Sequence, residues 1–300
     1  MRTIDAQERP ILPSATQKRT KTRIVILMLL SIGTMINYLD RTILGVVAPK
    51  LTSEIDIDPA MMGIVFSAFA WTYALAQIPG GMFLDRFGNK LTYALSIFFW
   101  STFTLLQSFS VGLKSLLLLR LGLGISEAPC FPVNSRVVSK WFPQHERARA
   151  TATYTVGEYI GLAAFSPLLF LILEHHGWRT LFFLTGGLGI AFTFVWWKFY
   201  HEPHESKTAN KEELEYIGVE NTTSVNENIP FNWHDAKRLL CCRQIIGASL
   251  GQFAGNTTLV FFLTWFPTYL ANERHLPWLH VGFFASWPFL AAAIGIFFGG

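Results

Sequence analysis

The feature that most restricts what this chain can fold into is a recurrence of apolar runs of roughly 20 residues. That is the length an α-helix needs to cross a hydrocarbon core about 30 Å thick at about 1.5 Å per residue. Such windows fall at 24–48, 60–84, 91–112, 116–138, 150–173, 178–199, 244–270 and 279–300. Inside lipid the backbone must satisfy its own hydrogen bonds, so runs of this length are expected to be helices and the chain an all-α membrane protein. Composition agrees: charged residues make up 15% of the chain, against about 25% in a soluble domain. The 27 Phe and 10 Trp suit lipid contact and interfacial belts.

Lys and Arg distribute unevenly about the eight runs. The N-terminus and the loops after the second, fourth and sixth runs hold most of the 24, whereas the opposite loops hold only Lys50, Lys114, Arg179 and Arg274. Loops rich in Lys and Arg stay in the cytoplasm, so the N-terminus is expected inside, in a multi-pass protein of the cell's inner (plasma) membrane. The first run follows a polar stretch, 1–23, that includes Arg2, Arg9 and Arg23. A cleaved signal peptide would have a shorter apolar core and a small-residue cleavage site, so an uncleaved first span is expected.

The long polar segment at about 201–243 is charged and lacks sustained apolar periodicity, as a linker between two bundles would. The expected organisation is a cytoplasmic N-terminus at 1–23, a six-helix bundle at 24–200, a cytoplasmic linker at 201–243, and the first two spans of a second bundle at 244–300. An apolar run reaches Gly300 without a polar tail, which makes a fragment of a longer chain the expectation. Asn221 and Asn256 begin Asn-x-Thr triplets, but they fall in the linker and in a span, where glycosylation is not expected.

Several functions are excluded by what the residues fail to assemble. Cys130, Cys241 and Cys242 form no disulfide framework and no metal-ligand spacing. The eight His are scattered, and the one adjacent pair, His175-His176, falls in an outer loop. No nucleophile or metal constellation of an enzyme is present, and no cofactor is implied. The net charge of +4 arises from the positive loops and requires no nucleic-acid partner.

The loop after the second run reads Gly81-Met82-Phe83-Leu84-Asp85-Arg86-Phe87-Gly88-Asn89-Lys90. A short turn with paired Asp and Arg can dock on a neighbouring helix end in one conformation and release it in another. Gly81, Asp85, Arg86 and Gly88 closely resemble the loop motif of the major facilitator superfamily, with Asn89 at a position that is usually basic there. Ile36-Asn37-Tyr38-Leu39-Asp40-Arg41, Gly124-Ile125-Ser126-Glu127-Ala128-Pro129, Lys140-Trp141-Phe142-Pro143 and Glu146-Arg147-Ala148-Arg149-Ala150 resemble its anion:cation symporter branch. The fifth and sixth runs and the segment from Phe262 to Leu270 are most similar to bacterial sugar-acid transporters of the D-galactonate type. The resemblance implies the major facilitator fold: twelve spans in two six-helix bundles, eight of them visible here, with substrate near the midplane. It also implies proton-coupled uptake of a sugar acid by alternating access. Aldarate (glucarate or galactarate) and hexuronate symporters of the same branch remain open, as does a non-transporting membrane sensor.

Five charges fall at membrane depth: Asp40, Arg41, Arg120, Glu127 and Glu158. Each costs about 2.5–3.5 kcal/mol on insertion scales, so they are expected to face a bundle interior or an aqueous cavity. Arg120 and Glu127 are two turns apart and share a face. They form either a structural network or a coupling device. In the second case a protonated Glu127 leaves Arg cations free for a substrate carboxylate and an ionised one competes for them, linking proton and anion binding. Asp40 and Arg41, about 100° apart on one helix, either neutralise each other or point to a helix interface and to the cavity respectively.

The resemblance assigns the coupling protons to Asp40 and Glu127 and substrate contacts to Tyr38 and Tyr73. Arg41, Gln77 and Glu158 complete the expected substrate site. The alternative for the tyrosines is interfacial packing. Glu158 departs from the resembled pattern, which has Gln, so it either alters the substrate or adds a titratable group. Gly157, Gly161, Ala163 and Ala164 are expected to let the fifth span approach a neighbour closely.

Overall fold

A computed structural model of the chain describes residues 18–55, 57–218 and 233–299. Arg2, Arg9 and Asn221 lie outside these. Among the described residues every regular element is helical: α1 Thr22–Ile55, α2 Pro59–Gln107, α3 Leu113–Glu127, α4 Cys130–Trp141, α5 Gln144–Phe199, a 3₁₀ turn at Pro203–Glu205, α6 Lys211–Ile217, α7 Trp233–Leu240, α8 Arg243–Asn272 and α9 Trp278–Gly299. Six stretches among them are long and apolar enough to cross a membrane, and two of these, α2 and α5, run to 49 and 56 residues.

Helices of that length would be roughly 70–85 Å long if straight, more than twice the hydrocarbon thickness. They are not straight. Gly88 (φ 76, ψ 175) and Gly177 (φ 77, ψ 171) break them with a backbone conformation that side chains with a Cβ rarely adopt. Packing shows that each helix folds back at its glycine. A Cβ at Gly122 would meet Phe103, and one at Gly124 would meet Phe69 and Thr72, so both legs of α2 lie against one turn of α3. On a straight helix Phe69 and Phe103 would be about 50 Å apart. Likewise Gly161 abuts Met35 and Gly189 abuts Ile36, placing both legs of α5 along α1. The described chain therefore makes eight spans: α1, the two legs of α2, α3 with α4, the two legs of α5, α8 and α9.

Span 4 is interrupted. α3 stops at Glu127 and α4 begins at Cys130, with Pro129 between them. Proline has no N–H to donate, so the hydrogen-bond ladder has a gap here while Ala128 and Pro129 keep right-handed helical dihedrals, and Glu127 lies beside the gap, deep in the bundle. The small residues of span 5 divide: Gly161 and Ala163 are buried, with Gly161 hard against Met35, whereas Ala164 is exposed.

At the end carrying Thr22, an aromatic cluster locks spans 3 and 6. Trp196 lies 4.4 Å from Tyr93 and stacks on Tyr200 at 4.2 Å, and its indole N–H donates to the Lys90 carbonyl. At the far end, spans 7 and 8 join the others. Gly45 of span 1 packs directly on the Leu263 carbonyl, Phe66 meets Trp265 at 5.4 Å, and Gly282 packs on Pro167 and Phe170. Toward the Thr22 end the same span 7 stands apart: Leu250 and Phe253 are exposed, and Gly247, Gly251 and Gly255 have no neighbour within 4 Å. The helices converge at one face and splay at the other.

The segment after span 6 is not a plain tether. Asn210 caps α6 by accepting from the Glu213 N–H at 3.1 Å, and Gly218 ends the helix in the left-handed conformation. The buried Glu213 carboxylate then accepts the backbone N–H groups of Thr22 (3.2 Å) and Arg23 (3.1 Å), capping the first turn of α1 where unpaired donors and the helix dipole favour an anion. Tyr216 donates to Glu146 at 2.7 Å beneath the guanidinium of Arg19. Spans 1 and 5 and the post-span-6 segment are thus tied at one face.

Candidate functional site

Adjacency in sequence sends Asp40 and Arg41 to different partners. Arg41 reaches span 4, where its Nε donates to Glu127 Oε1 at 2.5 Å and a terminal guanidinium nitrogen pairs with the same oxygen. Four rings surround that guanidinium: Tyr73 at 4.8 Å, Tyr38 at 4.9 Å, Phe69 at 5.2 Å and Phe131 at 5.8 Å. They come from spans 1, 2 and 4, so the cation sits where three helices meet, attracted by the ring quadrupoles. Phe69 and Phe131 are missed by sequence reasoning, because a Phe in an apolar run carries no sign of which neighbour it faces.

Glu158 of span 5 lies near Tyr38 and Arg41 and is buried. Gln77 lies one turn beyond Tyr73 and is half-buried. Tyr38, Arg41, Tyr73, Glu127 and Glu158 therefore converge from four spans.

Asp40 faces away from this group. Its carboxyl is turned toward Trp100 of span 3 and Thr185 of span 6, and among the described residues neither oxygen has a partner at full hydrogen-bond geometry. Arg120, two turns before Glu127, stands between the two acids without an ion pair to either among the described residues, and its Nε is unpartnered. Asn37, one turn before Arg41, is buried near Glu127, and among the described residues neither amide atom has a partner at full hydrogen-bond geometry. Asp40, Glu127 and Arg120 are buried and Arg41 is partly buried, and the formal charges of these four cancel, with Glu158 a fifth, buried ionisable group. A bound anion upsets that balance unless a proton accompanies it, because an uncompensated buried charge is strongly unfavourable.

The loop motif is built as follows. Gly88 makes the reversal between spans 2 and 3, and Asp85 accepts from Arg136 of span 4 at 2.8 Å, with the Leu84 carbonyl accepting from the same nitrogen at 3.3 Å. Arg86 lies over Phe87, and a Cβ at Gly81 would meet nothing within 4 Å. Asn89 is buried and donates to Glu202 at 2.9 Å, which also pairs with Lys140 at 3.1 Å. Burial pushes the Tyr200 hydroxyl well above its ordinary pKa, so it stays a neutral donor to Glu202 at 3.3 Å. A neutral amide at position 89 completes this network where a cation would compete with Lys140 for one carboxylate.

The family model of the Major Facilitator Superfamily matches residues 30–300. The chain is 45% identical over 296 residues to a D-galactonate transporter of Escherichia coli, covering 96% of this chain and 69% of that protein. It is 42% identical over 301 residues to a probable galactarate/D-glucarate transporter of Escherichia coli, covering 96% and 67%. With a hexuronate transporter of Bacillus subtilis it shares 30% over 281 residues, covering 94% and 64%. The chain spans about two thirds of the length of these curated relatives. Among solved structures, a bacterial homolog of the human lysosomal transporter Spinster superposes with a TM-score of 0.72 at 22% identity, over 92% of this chain and 61% of that one. The xylose transporter of Escherichia coli does so with 0.67 at 12%, over 92% and 73%.

Proposed function

This chain belongs to the major facilitator superfamily, and we propose that it takes up a sugar-acid anion, D-galactonate, together with protons. The observation that carries the proposal is the Arg41–Glu127 pair, its carboxylate buried, inside its ring of aromatic side chains. Arg41 is a fork-shaped cation suited to a carboxylate, and Glu127 occupies it. A proton on Glu127 neutralises that competitor and frees the guanidinium for the substrate carboxylate. Tyr38, Tyr73, Gln77 and Glu158 then supply hydroxyl, amide and carboxyl groups for the polyol chain.

Charge balance supports the coupling. With Glu158 protonated, the other four interior charges sum to zero before substrate arrives, so each bound monoanion calls for one added proton, on Glu127 or Asp40. Anion and proton binding are then linked and the linkage is reciprocal. Residues 24–200 act as one bundle in this reading, 201–243 as the linker and 244–300 as the start of the other bundle, with 1–23 on the cytoplasmic side. With the N-terminus inside, the splay of span 7 at the Thr22 end is an inward opening and the Gly45–Leu263 contact is the closed outer end. Rocking one bundle against the other exposes the site to each side in turn.

The identities to galactarate/D-glucarate transporters, and Glu158 where the resembled pattern has Gln, favour an aldarate as the second candidate substrate. The deciding experiment is uptake of labelled D-galactonate into proteoliposomes under an imposed inward proton gradient, with competition by aldonates, aldarates and hexuronates. Accumulation that collapses with protonophore and is competed best by D-galactonate is expected. Best competition by glucarate or galactarate would transfer the site to aldarates. Absence of gradient-driven uptake of every compound would point to a sensor and overturn the proposal.

A further inference from the structure

Span 3 carries a polar face that the substrate site does not use. Trp100 and Thr104 are one turn apart, Gln107 lies a further turn on, and Ser101 flanks Trp100, so they line one side of the helix. All four are buried, and among the described residues Trp100 Nε1, Ser101 Oγ, Thr104 Oγ1 and Gln107 Oε1 have no partner at full hydrogen-bond geometry. Both oxygens of Asp40, which faces Trp100, are in the same condition. Buried polar atoms are seldom left unpaired, and a contiguous set of them supplies the several partners that a bridging water requires.

The two ends of this face differ. Toward the Thr22 end, Tyr93 lies 6.2 Å from Trp100 and 4.4 Å from Trp196, so the path is plugged by packed rings. Toward the far end the face continues through Gln107 to the buried hydroxyls of Ser108 and Ser110 in the turn that ends the span. Trp100 to Gln107 is about 10 Å along the helix. Span 6 closes the side: Gly186 and Gly189 bring its backbone onto Ser101, where any Cβ would collide.

We infer that the Ser101, Thr104 and Gln107 face of span 3 is a hydrated proton path joining Asp40 to the far membrane surface, separate from the substrate route. The inference rests on the proton-coupled reading above. A proton entering at Ser110 and Gln107 passes between waters and the Thr104 and Ser101 hydroxyls, each accepting one proton and releasing one. It ends on the Asp40 carboxylate, which becomes neutral. Trp100, a donor only, faces that carboxylate and cannot itself relay a proton. The charged groups facing Asp40 are Arg120 and Glu127, so arrival of the proton alters the balance at Glu127 and hence at the Arg41 site.

The test uses the full-length protein in proteoliposomes and compares two assays. Exchange of labelled for unlabelled D-galactonate needs no net proton movement, whereas gradient-driven accumulation does. The double variant Thr104→Val with Gln107→Leu is expected to lose accumulation and keep exchange. Thr104→Ser, which retains the hydroxyl, is expected to keep both. A double variant that accumulates substrate like the wild type overturns the path, as does one that loses exchange as well, since the face is then packing. Failure of the coupled reading itself has a different signature: the unaltered protein would show no gradient-driven accumulation.

Discussion

Arg41 and Glu127, 86 residues apart in the chain, meet as an ion pair, Glu127 buried and Arg41 partly so, beside the hydrogen-bond gap in span 4, with the Arg41 Nε 2.5 Å from the Glu127 carboxylate. The pair is one guanidinium held ready for a carboxylate, with a carboxylate already on it. Whether transport is coupled turns on whether the resident acid can be neutralised when the visiting one arrives.

Glu127→Gln makes that neutral state permanent. The variant should bind sugar acid with less dependence on pH than the wild type, exchange labelled for unlabelled substrate, and fail to accumulate it down a proton gradient. Binding by calorimetry across pH, paired with the two uptake assays, reads this directly. Wild-type-like accumulation by Glu127→Gln would remove Glu127 from the coupling mechanism.

Arg41→Lys keeps the charge and loses the fork and the stacking on Tyr38, Tyr73, Phe69 and Phe131. Charge-assisted hydrogen bonds are worth about 1.5–3 kcal/mol, so binding should weaken by roughly 10- to 150-fold. Arg120→Ala should also weaken binding, through the charge balance, while Lys207→Ala in the linker leaves it unchanged. Equal losses in all three would make overall charge, not this site, the determinant. Arg41→Ala is a poorer probe, because stripping one member of a buried pair costs about 3–5 kcal/mol of stability.

Glu158 lies against Tyr38 and Arg41 without an ion pair to any base among the described residues. As a protonated hydrogen-bonding member of the site it is replaceable by an amide. Glu158→Gln should keep or improve D-galactonate uptake and flatten its decline on the alkaline side, where an ionised Glu158 would repel the anion. Were Glu158 a required proton carrier, the same change would abolish accumulation and spare exchange; a pH series of both assays separates the outcomes.

At the face carrying Thr22, Glu213 replaces the missing partners of two backbone N–H groups of α1. Loss of a helix cap costs about 0.5–2 kcal/mol. Glu213→Ala should therefore lower the midpoint of thermal unfolding in detergent, whereas Glu215→Ala, exposed and only 3.9 Å from Lys211, should not. Equal midpoints for the two variants would show that α6 is not bound to span 1 in solution.

The spans were legible because lipid imposes one rule on every run of roughly 20 apolar residues. The two reversals were legible as the gaps between the runs 60–84 and 91–112 and between 150–173 and 178–199, whereas the gap at Pro129 was not, because 116–138 reads as one apolar run. The partners of the buried charges were less legible. Helix periodicity puts Arg120 and Glu127 on one face, yet the ion pair to Glu127 comes from Arg41 on another helix, because the rotation of spans 1 and 4 is set by packing among several helices. α6 was hidden by the absence of apolar periodicity in 201–243, although Asn210 and Glu213 have the spacing of a capping box and Gly218 suits a helix end.

Gly45 marks where span 1 and span 7 touch most closely. A Cβ there would collide with the Leu263 carbonyl and crowd Thr264 Cα at 3.0 Å, and backbone cannot step aside as a side-chain tip can. Gly45→Val should therefore disfavour the state in which the far end is closed. Overpacking costs about 1–3 kcal/mol, enough to move a two-state equilibrium by roughly 5- to 150-fold toward the outward-open form. A Cys introduced by Phe66→Cys, which removes the ring now facing Trp265, reports on this end when Cys130, Cys241 and Cys242 are replaced by Ala. Adding Gly45→Val should speed its reaction with a membrane-impermeant maleimide applied from outside. Gly251→Ala, in a part of span 7 with open space around it, should leave the rate unchanged. An unaltered rate with Gly45→Val would mean that the contact between spans 1 and 7 is not the outer gate.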